Sequence, residues 1–236
     1  MGEEMQLRVV DFARAPSVTD QVFDQLYHQV VELVLPPGTK LSEVEVAKQM
    51  GVSRQPVRDS FYRLSQLGFL LIRPQRATVV THISEEDVMQ ARFIRTALEM
   101  ETVRAASGRL TSAEMDELDD LIRQQQSAID DGNRVLFHSL DDDFHKRICD
   151  MSGNHFAWAL IRDSKAHMDR VRYLSLSFGA QSALDDHVRI MEALRNQNGD
   201  VAAATMREHL YRIQTIIGRI RESHPSYFSE GEKSFP

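Results

Sequence analysis

Residues 41–80, LSEVEVAKQMGVSRQPVRDSFYRLSQLGFLLIRPQRATVV, constrain this chain more tightly than any other stretch. Ser42 with Glu45 three residues on is a capping-box signature, and Val44, Val46, Ala47 and Met50 supply the apolar positions of a short helix. Gly51 stands where that helix needs a left-handed stop. Ser53 opens a second helix, with Pro56 in its first turn, where a missing N–H costs nothing. Val57, Phe61, Leu64 and Leu67 recur at helical spacing as a buried stripe until Gly68 ends the helix. Two apolar runs follow, residues 69–72 and 77–80, around the tip Arg73-Pro74-Gln75-Arg76. Helix, tight turn, helix and β-hairpin, in that order, make a winged helix-turn-helix.

The polar residues of this stretch are placed for nucleic acid. Arg54, Gln55 and Arg58 lie off the apolar stripe near the start of the second helix, where such a helix carries its base-reading side chains. Arginine pairs well with guanine O6 and N7, so Arg54 and Arg58 are the expected base contacts, assisted by Gln55. Arg73 and Arg76, at the wing tip, are expected on phosphate or in the minor groove, and Ser53 and Thr78 as donors to phosphate. Residues 51–80 hold five arginines against Asp59 alone, a local +4 in a chain of net charge −7. A basic island in an acidic protein suffices to track double-stranded DNA, because the field that matters is local.

The remainder sets the domain plan. Residues 1–16 are expected as a flexible leader in which Val9-Val10-Asp11-Phe12 is apolar enough to dock on a partner domain. Ser17 opens a helix carrying Val22, Leu26, Val30 and Leu33, which Pro36-Pro37-Gly38 stops. The DNA-binding domain is thus residues 17–80, with a linker at 81–83. Residues 84–223 read as helices near 84–107, 111–131, 133–151, 154–177, 181–196 and 200–222, with capping boxes at Ser84/Asp87 and Thr111/Glu114. Residues 224–236 are expected to be disordered. The fold class is mainly α: a winged helix-turn-helix with a small β-hairpin wing, then an all-α bundle. No apolar run is long enough to span a bilayer, so no membrane partner is expected. Cys149 is the single cysteine, which excludes an internal disulfide and suits a reducing cytoplasm.

Four polar residues of the bundle sit beside apolar helical positions. Asp141 and His145 share one helix face next to Phe144 and Ile148. His187 precedes Ile190, Met191 and Leu194, and His209 lies among Met206, Leu210 and Ile213. Spacing alone leaves two readings open: a shared transition-metal site, or ordinary hydrogen-bonded core histidines. The other six, His28, His82, His138, His155, His167 and His224, belong to no such constellation and read as structural or surface residues.

The run VSRQPVRDSFYRLSQLGFL resembles the GntR family of bacterial repressors, as does the entry loop Pro36-Pro37-Gly38-Thr39 leading to Leu41-Ser42. Asp59-Ser60-Phe61 replaces the family's usual Glu-Ala-Leu, and Ala77 stands where many relatives carry glycine. Arg95 with Glu99, Asp141 with Phe144-His145, Ser152-Gly153-Asn154, and His187 with His209 resemble the FCD effector domain of FadR-type members. That resemblance implies a divalent metal on Asp141, His145, His187 and His209, with zinc first and nickel or manganese as alternatives. It also implies a small carboxylate or sugar-acid effector at the metal, a homodimer, and repression of a near-palindromic operator. Arginines on neighbouring helices would clamp the effector's far end. Arg95 comes first, against a plain pair with Glu99, and Arg170 and Arg172 follow, against a solvated face for at least one of them. Helices near residues 84–107, beside the linker, are expected to pass the signal. Two alternatives remain: a metal-sensing regulator, and a constitutive DNA-binding protein whose helical domain is purely structural. A metal with an open position also serves hydrolases, but nothing here marks a nucleophile or a general base, so no enzyme is expected.

Overall fold

The computed structural model describes residues 16–229; most of the expected leader and residues 230–236 lie outside them. α1 (Val18–Val31) leads to β1 (Lys40–Leu41), α2 (Glu43–Met50) and α3 (Arg54–Gln66), and then to the wing strands β2 (Leu70–Leu71) and β3 (Thr78–Val80). Six helices follow: α4 (Glu85–Ala106), α5 (Ser112–Asp130), α6 (Arg134–Met151), α7 (Phe156–Ser164), α8 (Ala166–Arg195) and α9 (Gly199–Ser223).

The helix-turn-helix forms for local reasons. Gly51 closes α2 at φ +67°, a conformation that costs glycine little. Val57, Phe61 and Leu64 bury the inner face of α3 against Val22, Leu26 and Val30 of α1 and Phe69 and Val80 of the wing. The wing is a three-stranded antiparallel sheet with β3 in the centre, since β1 adds Lys40 opposite Val79. Its left-handed tip residue is Gln75, at φ +57°, so the alanine at 77 is accommodated without strain.

Several local expectations need correction. Neither Ser42 nor Ser53 makes a side-chain capping bond. α1 ends at Val31, because Leu33 turns left-handed at φ +60° ahead of the prolines, and Val34 is left exposed. The expected break near residues 177–181 is absent: α8 runs through Gly179, because one glycine costs a helix only about 1 kcal/mol and the packing of α8 on α9 outweighs that. The break falls at Lys165 instead. That residue's ammonium is buried between Asp142 (2.6 Å) and Asp169 (2.7 Å), a tertiary demand invisible to periodicity. The start of the expected disordered tail is ordered. Pro225–Tyr227 form a 3-10 turn, and Phe228 is buried, bridging to Ile83 of the linker.

The two domains share side chains across their junction. Ala166 of α8 completes the core of the DNA-binding domain. The Tyr27 hydroxyl of α1 donates to Asp169 of α8 at 3.1 Å. Arg170, fully buried, donates to the Thr81 carbonyl and lies over the Phe69 ring, and the Ser84 N–H donates to His167 Nδ1. Burial pulls the Arg170 guanidinium down to about 9, and burial together with Arg170 pulls His167 down to about 3.

Candidate functional site

Asp141 and His145 project from α6 one turn apart, His187 from α8 and His209 from α9. One ligand-type atom from each lies within 4.8 Å of the others. His145 Nε2 is 3.8 Å from one Asp141 oxygen, and His187 Nε2 is 3.7 Å from the other. Arg172 and His187 are fifteen residues apart, roughly 22 Å along a straight helix. Both reach the Asp141 carboxylate from opposite directions along α8.

The surroundings decide which ring nitrogen faces the centre. His145 Nδ1 meets Glu99 Oε2 at 2.5 Å, His187 Nδ1 meets Gln125 Oε1 at 2.8 Å, and His209 Nδ1 meets Asp186 Oδ2 at 3.4 Å. All three partners are acceptors; the Gln125 amide nitrogen is already spent on the Leu140 carbonyl. The acceptors facing Nδ1 of His187 and His209 favour the tautomer with the proton on Nδ1 and a lone pair on Nε2. His187 Nε2 and both ring nitrogens of His145 are buried without a hydrogen bond among the described residues, the His145 Nδ1 approach to Glu99 being an ion-pair contact. Buried lone pairs facing a carboxylate repel it unless a cation stands between them. The donor set of three imidazoles and one carboxylate fits a divalent transition ion.

The electrostatics agree. Burial pushes the Asp141 carboxyl upward, but the Arg172 guanidinium outweighs it and holds it far below the ordinary carboxylate range. Glu99 is likewise driven low by Arg95 and His145 against its burial. Burial drives the His187 pKa well below that of a free imidazole, helped by His209, and lowers that of His209 too, so both stay neutral, as metal ligation requires.

A cavity of about 320 Å³ opens beside the cluster, with Asp141, His209, Arg95 and Arg172 in its wall. Arg95 is buried in a 2.6 Å pair with Glu99 while still lining this cavity. Arg172 joins Asp141, Asp142 and Asp169. Neither Arg170 nor Arg172 lies on a solvated face. Arg170 is not brought to this cavity at all; it faces Thr81 at the junction. His138 lines the cavity, and its buried Nε2 lacks a hydrogen bond. A larger cleft of about 910 Å³ between the domains, walled by Tyr27, Tyr62, Trp158 and Tyr173, contains none of the four ligand-type residues.

At the other end of the molecule, Ser53, Arg54, Gln55 and Arg58 are exposed at the start of α3, and Arg73 and Arg76 are exposed at the wing tip, with Thr78 half-buried on β3. Glu43 of α2 holds both recognition arginines, Arg54 at 3.5 Å and Arg58 at 3.2 Å, while Gln55 donates to Asp59. Arg63 faces away, paired with Asp20 and stacked on Phe23. The sequence pattern does not mark Glu43, Gln125 or Asp186, and it marks Glu99 only as a partner of Arg95. Each acts on a residue distant in the chain or hidden by the fold, so no local spacing marks it.

The first domain matches the model of the bacterial regulatory proteins of the gntR family over residues 18–80, and the second matches the FCD domain over residues 90–212. The HTH-type transcriptional repressor RspR of Escherichia coli (strain K12) is 36% identical over 215 residues, covering 90% of this chain and 94% of the relative. A probable D-xylose utilization operon transcriptional repressor of Paenarthrobacter nicotinovorans is 27% identical over 198 residues, 82% of this chain and 86% of that one. The structure of E. coli McbR/YncC shares the fold at TM-score 0.77 and 22% identity, across 87% of this chain and 99% of that one. The chain belongs to the GntR family, with a GntR helix-turn-helix followed by an FCD domain. It is a DNA-binding transcriptional regulator and not an enzyme, and no helix among the described residues is long and apolar enough to cross a membrane.

Proposed function

We propose that this regulator is a repressor. As a homodimer it binds a near-palindromic operator, and it is released when a small carboxylate metabolite binds beside a divalent metal held by Asp141, His145, His187 and His209. The observation that carries the metal reading is the set of three imidazoles whose Nδ1 atoms all face acceptors, with the Nε2 atoms of His145 and His187 buried and unpartnered opposite one carboxylate. Zinc fits this N/O set first, and nickel or manganese also suits it. When bound, the metal supplies a net positive charge and an open position for a carboxylate oxygen. Asp141 supplies the single protein charge, Glu99, Gln125 and Asp186 fix the ring orientations, and the buried Arg95 balances Glu99.

The route to DNA runs along α8. Arg172 grips Asp141 at the site and also binds Asp169, and Asp169 accepts from Tyr27 of the DNA-binding domain. A ligand that draws on the Asp141 charge loosens or tightens Arg172, and the change reaches α1 through Asp169. This moves the expected signal path from α4 to α8. The ligand must favour one arrangement of the paired reading heads, since equal affinity for both shifts nothing. On DNA, Arg54 and Arg58 exchange Glu43 for base edges, Gln55 assists, and Ser53, Arg73, Arg76 and Thr78 meet the backbone.

The test is His187→Ala. It should abolish bound metal by elemental analysis while operator binding without effector persists in gel shift. Full metal content in the folded variant would sink the ligand set. A second reading, the metal itself as the signal, is favoured by the direct Arg172–Asp141 contact. Chelation alone would then change operator affinity.

A further inference from the structure

We infer that the effector is a carboxylate with an apolar body, aliphatic or aromatic, rather than a polyhydroxylated sugar acid. This deepens the metal-held carboxylate reading and rests on it. The cavity of about 320 Å³ has a mixed lining, with Asp141 and His209 at the cluster and Ser175, Thr215, Arg212 and Arg219 also reaching it. Its apolar wall is Met168, Leu176, Ala183, Leu210, Ile213 and Ile216, contributed by α8 and α9.

Most of the polar groups that line it are already committed, with His138, Ser182 and Arg219 the exceptions. Arg95 is paired with Glu99, Arg172 with three aspartates and Arg212 with Asp186. The hydroxyls of Ser175 and Thr215 donate to carbonyls of their own helices. A sugar acid entering here would strip water from a row of hydroxyls and find few partners, and each unmatched hydroxyl is costly. A methylene in the same place gains about three- to four-fold in affinity. The solvent-facing end fits an apolar body as well. Phe178, 39% exposed, carries the Arg219 guanidinium 3.9 Å above its ring, and Arg219 has no carboxylate partner among the described residues. This stacked pair forms an amphipathic rim over the tail of a bound acid.

The experiment is calorimetry on the full-length, zinc-loaded protein with acetate, butyrate, hexanoate, phenylacetate and gluconate, each with and without chelator. The expected result is a Kd that falls about three- to four-fold per methylene along the aliphatic acids. Gluconate, matched to hexanoate in carbon number, should bind at least about tenfold more weakly than hexanoate, the cost of a single unmatched hydroxyl. Leu176→Ser should weaken hexanoate and leave acetate affinity and zinc content unchanged. Gluconate binding as tightly as hexanoate, or a flat series, overturns the inference. Hexanoate binding that survives chelation refutes instead the metal-held head group and leaves the apolar wall standing. No binding by any of the acids overturns both.

Discussion

Replacing Gln125 by methionine tests the imidazole arrangement without touching a ligand. Gln125 is fully buried on α5, its carbonyl 2.8 Å from His187 Nδ1 and its amide donating to the Leu140 carbonyl at 3.1 Å. Methionine is of similar length and offers neither group. Two effects follow. The metal-free fold keeps a buried His187 N–H without an acceptor, a loss of about 1–3 kcal/mol. The ring is also free to place its proton on Nε2, where it would donate toward Asp141 and occupy the position a metal needs. Losing such an orienting partner weakens metal affinity by about 10–100-fold. If zinc is present at about a thousand times its Kd, binding stabilises the parent by about 4 kcal/mol, and a hundredfold weaker site retains only about 1.4 kcal/mol of that. Competition titration against a chromophoric chelator reads the affinity, and thermal unfolding with and without zinc reads the stability difference. Gln125→Glu keeps an acceptor at the same place and should restore most of the affinity. A folded Gln125→Met protein with the parent's zinc Kd would refute the proposal that His187 binds through a nitrogen selected by Gln125.

Three further outcomes are expected. Arg58→Ala should cost about 1–3 kcal/mol of operator affinity and relax specificity, and an unchanged gel-shift titration would remove Arg58 from the base-reading set. Tyr27→Phe removes only the hydroxyl that meets Asp169, so operator affinity without ligand should hold while the response to zinc or acid shrinks; a full response would break the α8 route. Stability should fall as the solution is acidified, with His167 contributing. Its imidazole stays neutral in the fold down to about 3, against an ordinary value of 6.5, so between those values the unfolded chain binds more protons. The stability that His167 permits is complete above pH 6.5 and declines toward pH 3, by at most about 1.4 kcal/mol per pH unit. His167→Gln should flatten that part of a urea-denaturation pH profile, and an unaltered slope would show that His167 does not control it.

What the sequence discloses depends on whether the cause is local. Gly51, Pro56 and the apolar stripe of α3 settle backbone conformation within a few residues, and the helix-turn-helix is legible from them. The face shared by Asp141 and His145 is legible for the same reason. Gln125 is not, because it sits in the run Gln124-Gln125-Gln126, where periodicity does not say which amide turns inward. Only the fold does, by bringing His187, 62 residues away, against the middle one. Arg170 and Arg172 mislead in the opposite way. On a surface helix their charge would mark a solvated face, but α8 serves both domains: Ala166 packs into the DNA-binding core, Arg170 closes on Thr81, and His187 stands in the cluster with Asp141, His145 and His209. Residues 166–176 of α8 have no exposed position, so the charges there must find partners inside. Arg172 meets both Asp141 of the cluster and Asp169, which accepts from Tyr27, so one buried set of charges touches both domains.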